Sequence, residues 1–175
     1  MIQTNRTMNQ RIPYRVPSSF DARERLLTIY EVDLPIEGGW GYDIEDAVVI
    51  NKLHPSVNQE MPFHGVGIEK TFIRHRLFIE LIQMRSRDDD FSGIESAIKI
   101  QRVIQKNGKS YDHLECEATA LRTADWLLMK EIWEGSNGYK SPDFDQAKHL
   151  QLHKSKLVHF DCDYWFDITS FIHNM

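Results

Sequence analysis

The residues best placed to do chemistry are two histidines four apart, His149 and His153, which share one face of a helix and could serve as adjacent ligands to a metal ion. Asp145 extends the same stripe by one turn. The strand that follows brings His159 and Asp161, and an earlier strand carries His113, Glu115 and Glu117 on its outward side. One divalent transition metal held by His149 and His153, with His159 or Asp161 completing the shell and an acidic residue such as Glu115 as base toward a bound water, would make a metal-dependent hydrolase. The helix lacks the glutamate of a His-Glu-x-x-His motif, so two histidines on a solvated face is the plainer expectation. Nucleophilic catalysis has less behind it. Cys116 and Cys162 fall on the apolar sides of alternating segments, where a thiol acts as a small hydrophobe. The sequence contains no Gly-x-Ser-x-Gly, phosphate loop or dinucleotide fingerprint.

A non-catalytic reading rests on aromatic residues beside charge. Trp40 and Tyr42 stand in the glycine-rich turn Gly38-Gly39-Trp40-Gly41-Tyr42, and Asp161, Asp163 and Trp165 lie on the polar side of the last strand. Buried aromatics with a few placed charges carry most interface energy. The leading expectation is therefore a binding module that recognises a protein partner or small ligand through these five residues, without a cofactor; the hydrolase is its alternative. Gly41-Tyr42-Asp43-Ile44-Glu45-Asp46-Ala47-Val48-Val49-Ile50-Asn51-Lys52 resembles a segment of the second-largest subunits of archaeal and eukaryotic RNA polymerases. The resemblance implies Glu45 and Asp46 as counterparts of an acidic pair near the polymerase catalytic metal. It ends at Lys52, and no function of the whole chain is taken from it.

These residues must be positioned by an α+β fold, expected as a mainly antiparallel curved sheet of about six strands with two C-terminal-half helices packed on one face. Alternation is cleanest from Lys156 to Ile168, where Val158, Phe160, Cys162, Tyr164, Phe166 and Ile168 share a side; this strand should lie inside the sheet. Two alternating segments flank Asn107-Gly108 and predict a β-hairpin. A strict two-residue loop sets Ile98 against Glu117 and Ile100 against Glu115. A three-residue loop, with Ile98 opposite Ala118 and Lys99 opposite Glu117, is expected instead. Leu26, Thr28, Tyr30, Val32 and Leu34 alternate as a strand closed by Pro35, and Ala47-Val48-Val49-Ile50 reads as another. Ile68 to Met84 fits either period, with β-branched and aromatic residues favouring strand. Ser86-Arg87-Asp88-Asp89-Asp90 is a solvated turn. Thr123 should cap a helix through Trp133, with Trp126, Met129, Ile132 and Trp133 facing the core, and Ser141-Pro142-Asp143 should start a second, with Phe144, Ala147 and Leu150 inside.

The 175 residues, 41% hydrophobic and 27% charged, suffice for one domain that buries roughly 70% of its unfolded surface. Residues 1–22 read as a polar N-terminal arm and 23–175 as a single α+β domain. A net charge of −5 argues against nucleic acid as a partner, and the lack of a long apolar run argues against a membrane. With two cysteines and no apolar leader, a cytoplasmic setting with reduced thiols is expected.

Overall fold

The computed structural model describes residues 9–172. The first eight residues of the expected arm and the last three of the domain lie outside that range. Over the described residues the fold is α+β: a six-stranded sheet with four α-helices. In chain order the elements are β1 (Gln10–Arg11), α1 (Ala22–Tyr30), β2 (Ile36–Gly38), β3 (Val48–Ile50), α2 (Gly65–Phe78), β4 (Phe91–Lys106), β5 (Lys109–Arg122), α3 (Thr123–Gly135), α4 (Gln146–Lys156) and β6 (Val158–Asp167).

The strands run β2-β3-β6-β5-β4, with β1 also against β6. The last strand is central, as its alternation predicts. The sheet is mixed rather than mainly antiparallel, because β1 and β3 both pair with β6 in parallel. Short parallel pairings of two residues each carry no local sequence pattern, so nothing in the chain announced them.

Val158, Phe160, Cys162, Tyr164 and Phe166 point to one side, termed the inner face, with Leu114, Cys116, Ala118 and Ala120 of β5 beside them. The small residues on β5 leave room for rings: Phe91 meets Phe160 edge-on at 5.6 Å and Phe72 meets Phe166 at 5.7 Å. The cover comes from α1 and α2, not from the C-terminal helices as expected. The segment expected as a strand from Arg25 is helical because Asp21 caps it, its Oδ1 accepting from Glu24 N at 2.7 Å. Ala22 and Leu26, four apart, are then both buried. Ile68 to Met84 is helical too, which corrects the strand preference. Phe72, Ile73, Arg76 and Leu77 form its buried stripe, and a π-helical turn, Ile79–Gln83, follows. Its extra residue widens the turn, with Met84 N donating to Ile79 O at 2.9 Å, and lets three consecutive residues, Ile79, Glu80 and Leu81, face inward.

The hairpin keeps a two-residue loop, correcting the three-residue expectation: Lys106 pairs with Lys109, and Asn107 (φ 53°) and Gly108 (φ 76°) form a turn of the I′ kind. The unfavourable pairing is avoided further along. Lys99 is an extra residue in a β-bulge, so Ile98 moves opposite Cys116 on the inner face while Ile100 stays opposite Glu115 on the outer one.

The helices α3 and α4 are largely exposed. Only Met129 of α3 is buried, α4 buries nothing, and Trp133 and Leu150 remain 51% and 55% exposed, so their expected inner stripes are not core. Arg122, not Thr123, is the N-cap residue of α3, and Asp145, whose side chain accepts from Lys148 N at 2.9 Å, starts α4 in place of Ser141. Residues of the expected arm dock on the domain through β1 and the buried Val16.

Candidate functional site

Helices leave the outer face of β5 and β6 open along its middle, and there the period of two presents His113, Glu115 and Glu117 next to Asp161, Asp163 and Trp165. Cross-strand register makes Glu115 the partner of Asp163 and Glu117 the partner of Asp161. Two pairs of like charges thus stand directly opposite, an arrangement that destabilises a sheet unless cations surround it. The surround is present. Arg11 of β1 pairs with Asp163, Arg102 of β4 pairs with Glu115, and Lys99 Nζ reaches Glu117 Oε2 at 2.6 Å. His159 Nδ1 lies 2.8 Å from Glu117 Oε1 and His113 Nε2 lies 3.2 Å from Asp163 Oδ1. Asn9 donates to Asp161 Oδ1 at 2.9 Å. The ring of His113 stacks on Trp165 with centroids 4.0 Å apart. Arg11, Lys99, His113, Glu115, Asp161, Asp163 and Trp165 border a depression of about 520 Å³.

Hydrogen bonds from Lys99 and His159 hold the Glu117 carboxyl down near 2. Its contribution to stability is therefore complete above the ordinary carboxylate range and vanishes as pH falls through about 2. A double-mutant cycle of Lys99→Met and Glu117→Gln should return a coupling of ~0.2–1 kcal/mol at neutral pH, shrinking as the titration reaches about pH 2. The bulge explains how Lys99 meets Glu117 although Ala97 is the direct partner of Glu117. A coupling that stays constant over that range would show that the pair owes nothing to the Glu117 charge.

The structure separates other expected residues from this face. Trp40 is 1% exposed and donates through Nε1 to Phe20 O at 2.9 Å, so it cannot offer surface to a partner. Tyr42 is half-buried, its hydroxyl 2.6 Å from Glu80 Oε1, and burial first of all raises its pKa. Asp46 turns into the loop, where its Oδ2 accepts from Trp40 N at 3.1 Å, and Glu45 pairs with Lys106 at 2.8 Å. His149 sits in an aromatic group with Tyr139 and Phe144, and its ring centroid is 6.5 Å from that of His153. Among the described residues, no group of three or more His, Cys, Asp or Glu side chains could hold a metal ion. Burial pushes Cys116 up to about 12 and Cys162 up to about 11, which leaves both as unreactive thiols.

Two buried polar centres escaped sequence reasoning. In the first, Arg76 fills the gap on the β6 edge between β1 and β3, donating to Trp40 O at 2.8 Å, Gly41 O at 3.2 Å and Asp163 O at 2.9 Å. Its Nε is 3.1 Å from Glu80 Oε1, and its guanidinium lies 3.9 Å from the Tyr164 ring centroid. The signal was an Arg and a Glu four apart inside an apolar helical stripe. In the second, Glu69 of α2 faces Asp112 of β5 away from water, and no local pattern could have shown it.

The fold and this face define a class: an α+β domain whose mixed sheet is covered on one side and keeps part of the other open as a charged platform. No family model, curated protein or solved structure matches the chain. No helix among the described residues is long and apolar enough to cross a membrane.

Proposed function

We propose that the protein is a non-catalytic binding module whose open sheet face, centred on Asp161, Asp163 and Trp165, takes a cationic segment of a partner protein. The supporting observation is the two pairs of facing carboxylates, Glu115 with Asp163 and Glu117 with Asp161. Arg11, Arg102 and Lys99 already answer Asp163, Glu115 and Glu117, so among the described residues Asp161 is the carboxylate left for an incoming lysine or arginine side chain to meet. Asp161 is the most open of the four and, among the described residues, is held only through the Asn9 amide. Trp165 adds a ring on which a guanidinium can lie. The chain's net charge of −5 draws such a partner in.

Asp161→Asn tests the reading because stability and binding should move in opposite directions. Removing one of two facing charges should raise stability by ~0.2–1 kcal/mol. Calorimetric titration with an arginine-rich and a glutamate-rich octapeptide should show the first binding and the second silent, with at least a tenfold loss of affinity in the variant. Glu131→Gln, an exposed change on α3, should leave both properties alone. Equal losses in the two variants, or no binding of the arginine peptide, would remove the proposal.

A further inference from the structure

Among the described residues β4 ends the sheet, so one side of its backbone has no partner strand there, and this free edge borders a groove of about 760 Å³ beside α2. Ile73 and Leu77 of α2 and Ile94 of β4 supply its apolar floor, with Ile98 open at one end. Lys70 and Arg74 stand on the helix rim, exposed and one turn apart. Neither makes an ion pair among the described residues. Like charges four apart repel along a helix, and no carboxylate among the described residues pairs with either of these two.

We propose that this groove accepts an extended, acidic segment of another protein, which adds a strand to β4 and sets its carboxylates against Lys70 and Arg74. A helix beside a free strand edge is the geometry that strand addition needs: main-chain hydrogen bonds to the edge give affinity, and alternate side chains drop into the groove. Bulges limit where this can happen. Register shifts lie between Ser92 and Glu95 and between Ile98 and Ile100, leaving Glu95–Ile98 as a regular run, and Glu95, Ser96 and Ile98 line the groove. The added segment is therefore short, on the order of five residues at about 3.4 Å each. The same bulges oppose pairing of the whole edge with a second copy, and the cationic rim selects for acid. This surface is separate from the carboxylate platform, since it lies at the sheet edge and against α2.

The test uses the full chain and a phage library of random dodecapeptides as the probe. Enriched peptides should carry aspartate or glutamate alternating with β-branched or aromatic residues. For a synthetic copy of one of them, N-methylation at every second residue should lower affinity at least tenfold in one parity and little in the other, because only alternate amides face the edge. Lys70→Glu with Arg74→Glu, both exposed positions, should abolish binding while circular dichroism stays unchanged. Hydrogen exchange should slow in β4 amides when peptide binds. The proposal is overturned if no peptide is enriched, if the enriched peptides are basic or uncharged, if methylation has the same effect in both parities, or if sedimentation shows the free chain dimerised through β4.

Discussion

Arg76→Met is expected to lower stability by about 3–5 kcal/mol, because one side chain closes several buried groups at once. It lies 2% exposed and satisfies the carbonyls of Trp40, Gly41 and Asp163 as well as the carboxylate of Glu80. Removing it leaves Glu80, 1% exposed, as a charge without its counterion, and Glu80 Oε2 already lacks a hydrogen-bond partner among the described residues. The buried Glu80 carboxyl would then lose its guanidinium donor, and the three carbonyls would remain without the donor that ties the loop to β6. Arg76→Lys should fare little better, since an ammonium cannot span Trp40, Asp163 and Glu80 in one plane. The double variant Arg76→Met with Glu80→Leu separates the causes. It should recover the part owed to the unpaired charge and not the part owed to the carbonyls. Urea denaturation gives the answer, and a single variant within about 0.5 kcal/mol of the parent would mean that the guanidinium does not hold the sheet edge closed.

Alkaline loss of stability, abolished in Glu69→Gln, is the second large effect expected. Burial and the neighbouring Asp112 charge push the Glu69 carboxyl up to about 8, and Asp112 is raised as well, burial first among its causes. A proton shared between the two would give Asp112 Oδ1, buried and without a hydrogen-bond partner among the described residues, the donor it lacks, while Gln101 Nε2 donates to Asp112 Oδ2 at 2.5 Å. The folded state here binds more protons than the unfolded chain between the ordinary carboxylate range and about pH 8. Stability must then fall as pH rises through that window and level off above it. A glutamine donates from its amide at every pH. Denaturation midpoints followed from about pH 6 to about pH 9 should decline for the parent by an amount worth a few kcal/mol and stay flat for Glu69→Gln. Parallel curves for the two proteins would show that the shared proton is not on this pair.

Both of these centres set the geometry of the two proposed surfaces. Arg76 fixes β6 through Asp163 O, and Asp163 is one of the facing carboxylates. Glu69 and Asp112 tie α2 to β5, which holds the helix rim beside the β4 edge. A loss of binding in an Arg76 variant would therefore report on position rather than on contact, and Asp161→Asn and the Lys70, Arg74 changes are the cleaner probes.

Several features of the fold could be read locally. The alternation from Val158 to Phe166 assigned the inner and outer faces of the central strand, because a period of two needs no knowledge of the rest of the chain. Asn107-Gly108 announced its turn because both residues tolerate positive φ. The acidic outer face followed from the same alternation, and so did the burial of both cysteines. What stayed out of reach depended on partners distant in sequence. Whether Leu26 and Phe72 belonged to strands or helices was decided by the Asp21 cap and by rings packing across the sheet, against similar local periods. The bulge at Lys99 answers to the whole hairpin's need to keep Ile98 off Glu117, which neither strand expresses alone. The burial of Trp40, the meeting of Glu69 with Asp112, and the groove beside β4 exist only once α2 lies against the sheet. Burial and charge pairing are properties of assembled surfaces, and a local period fixes which way a side chain points but not what it will meet.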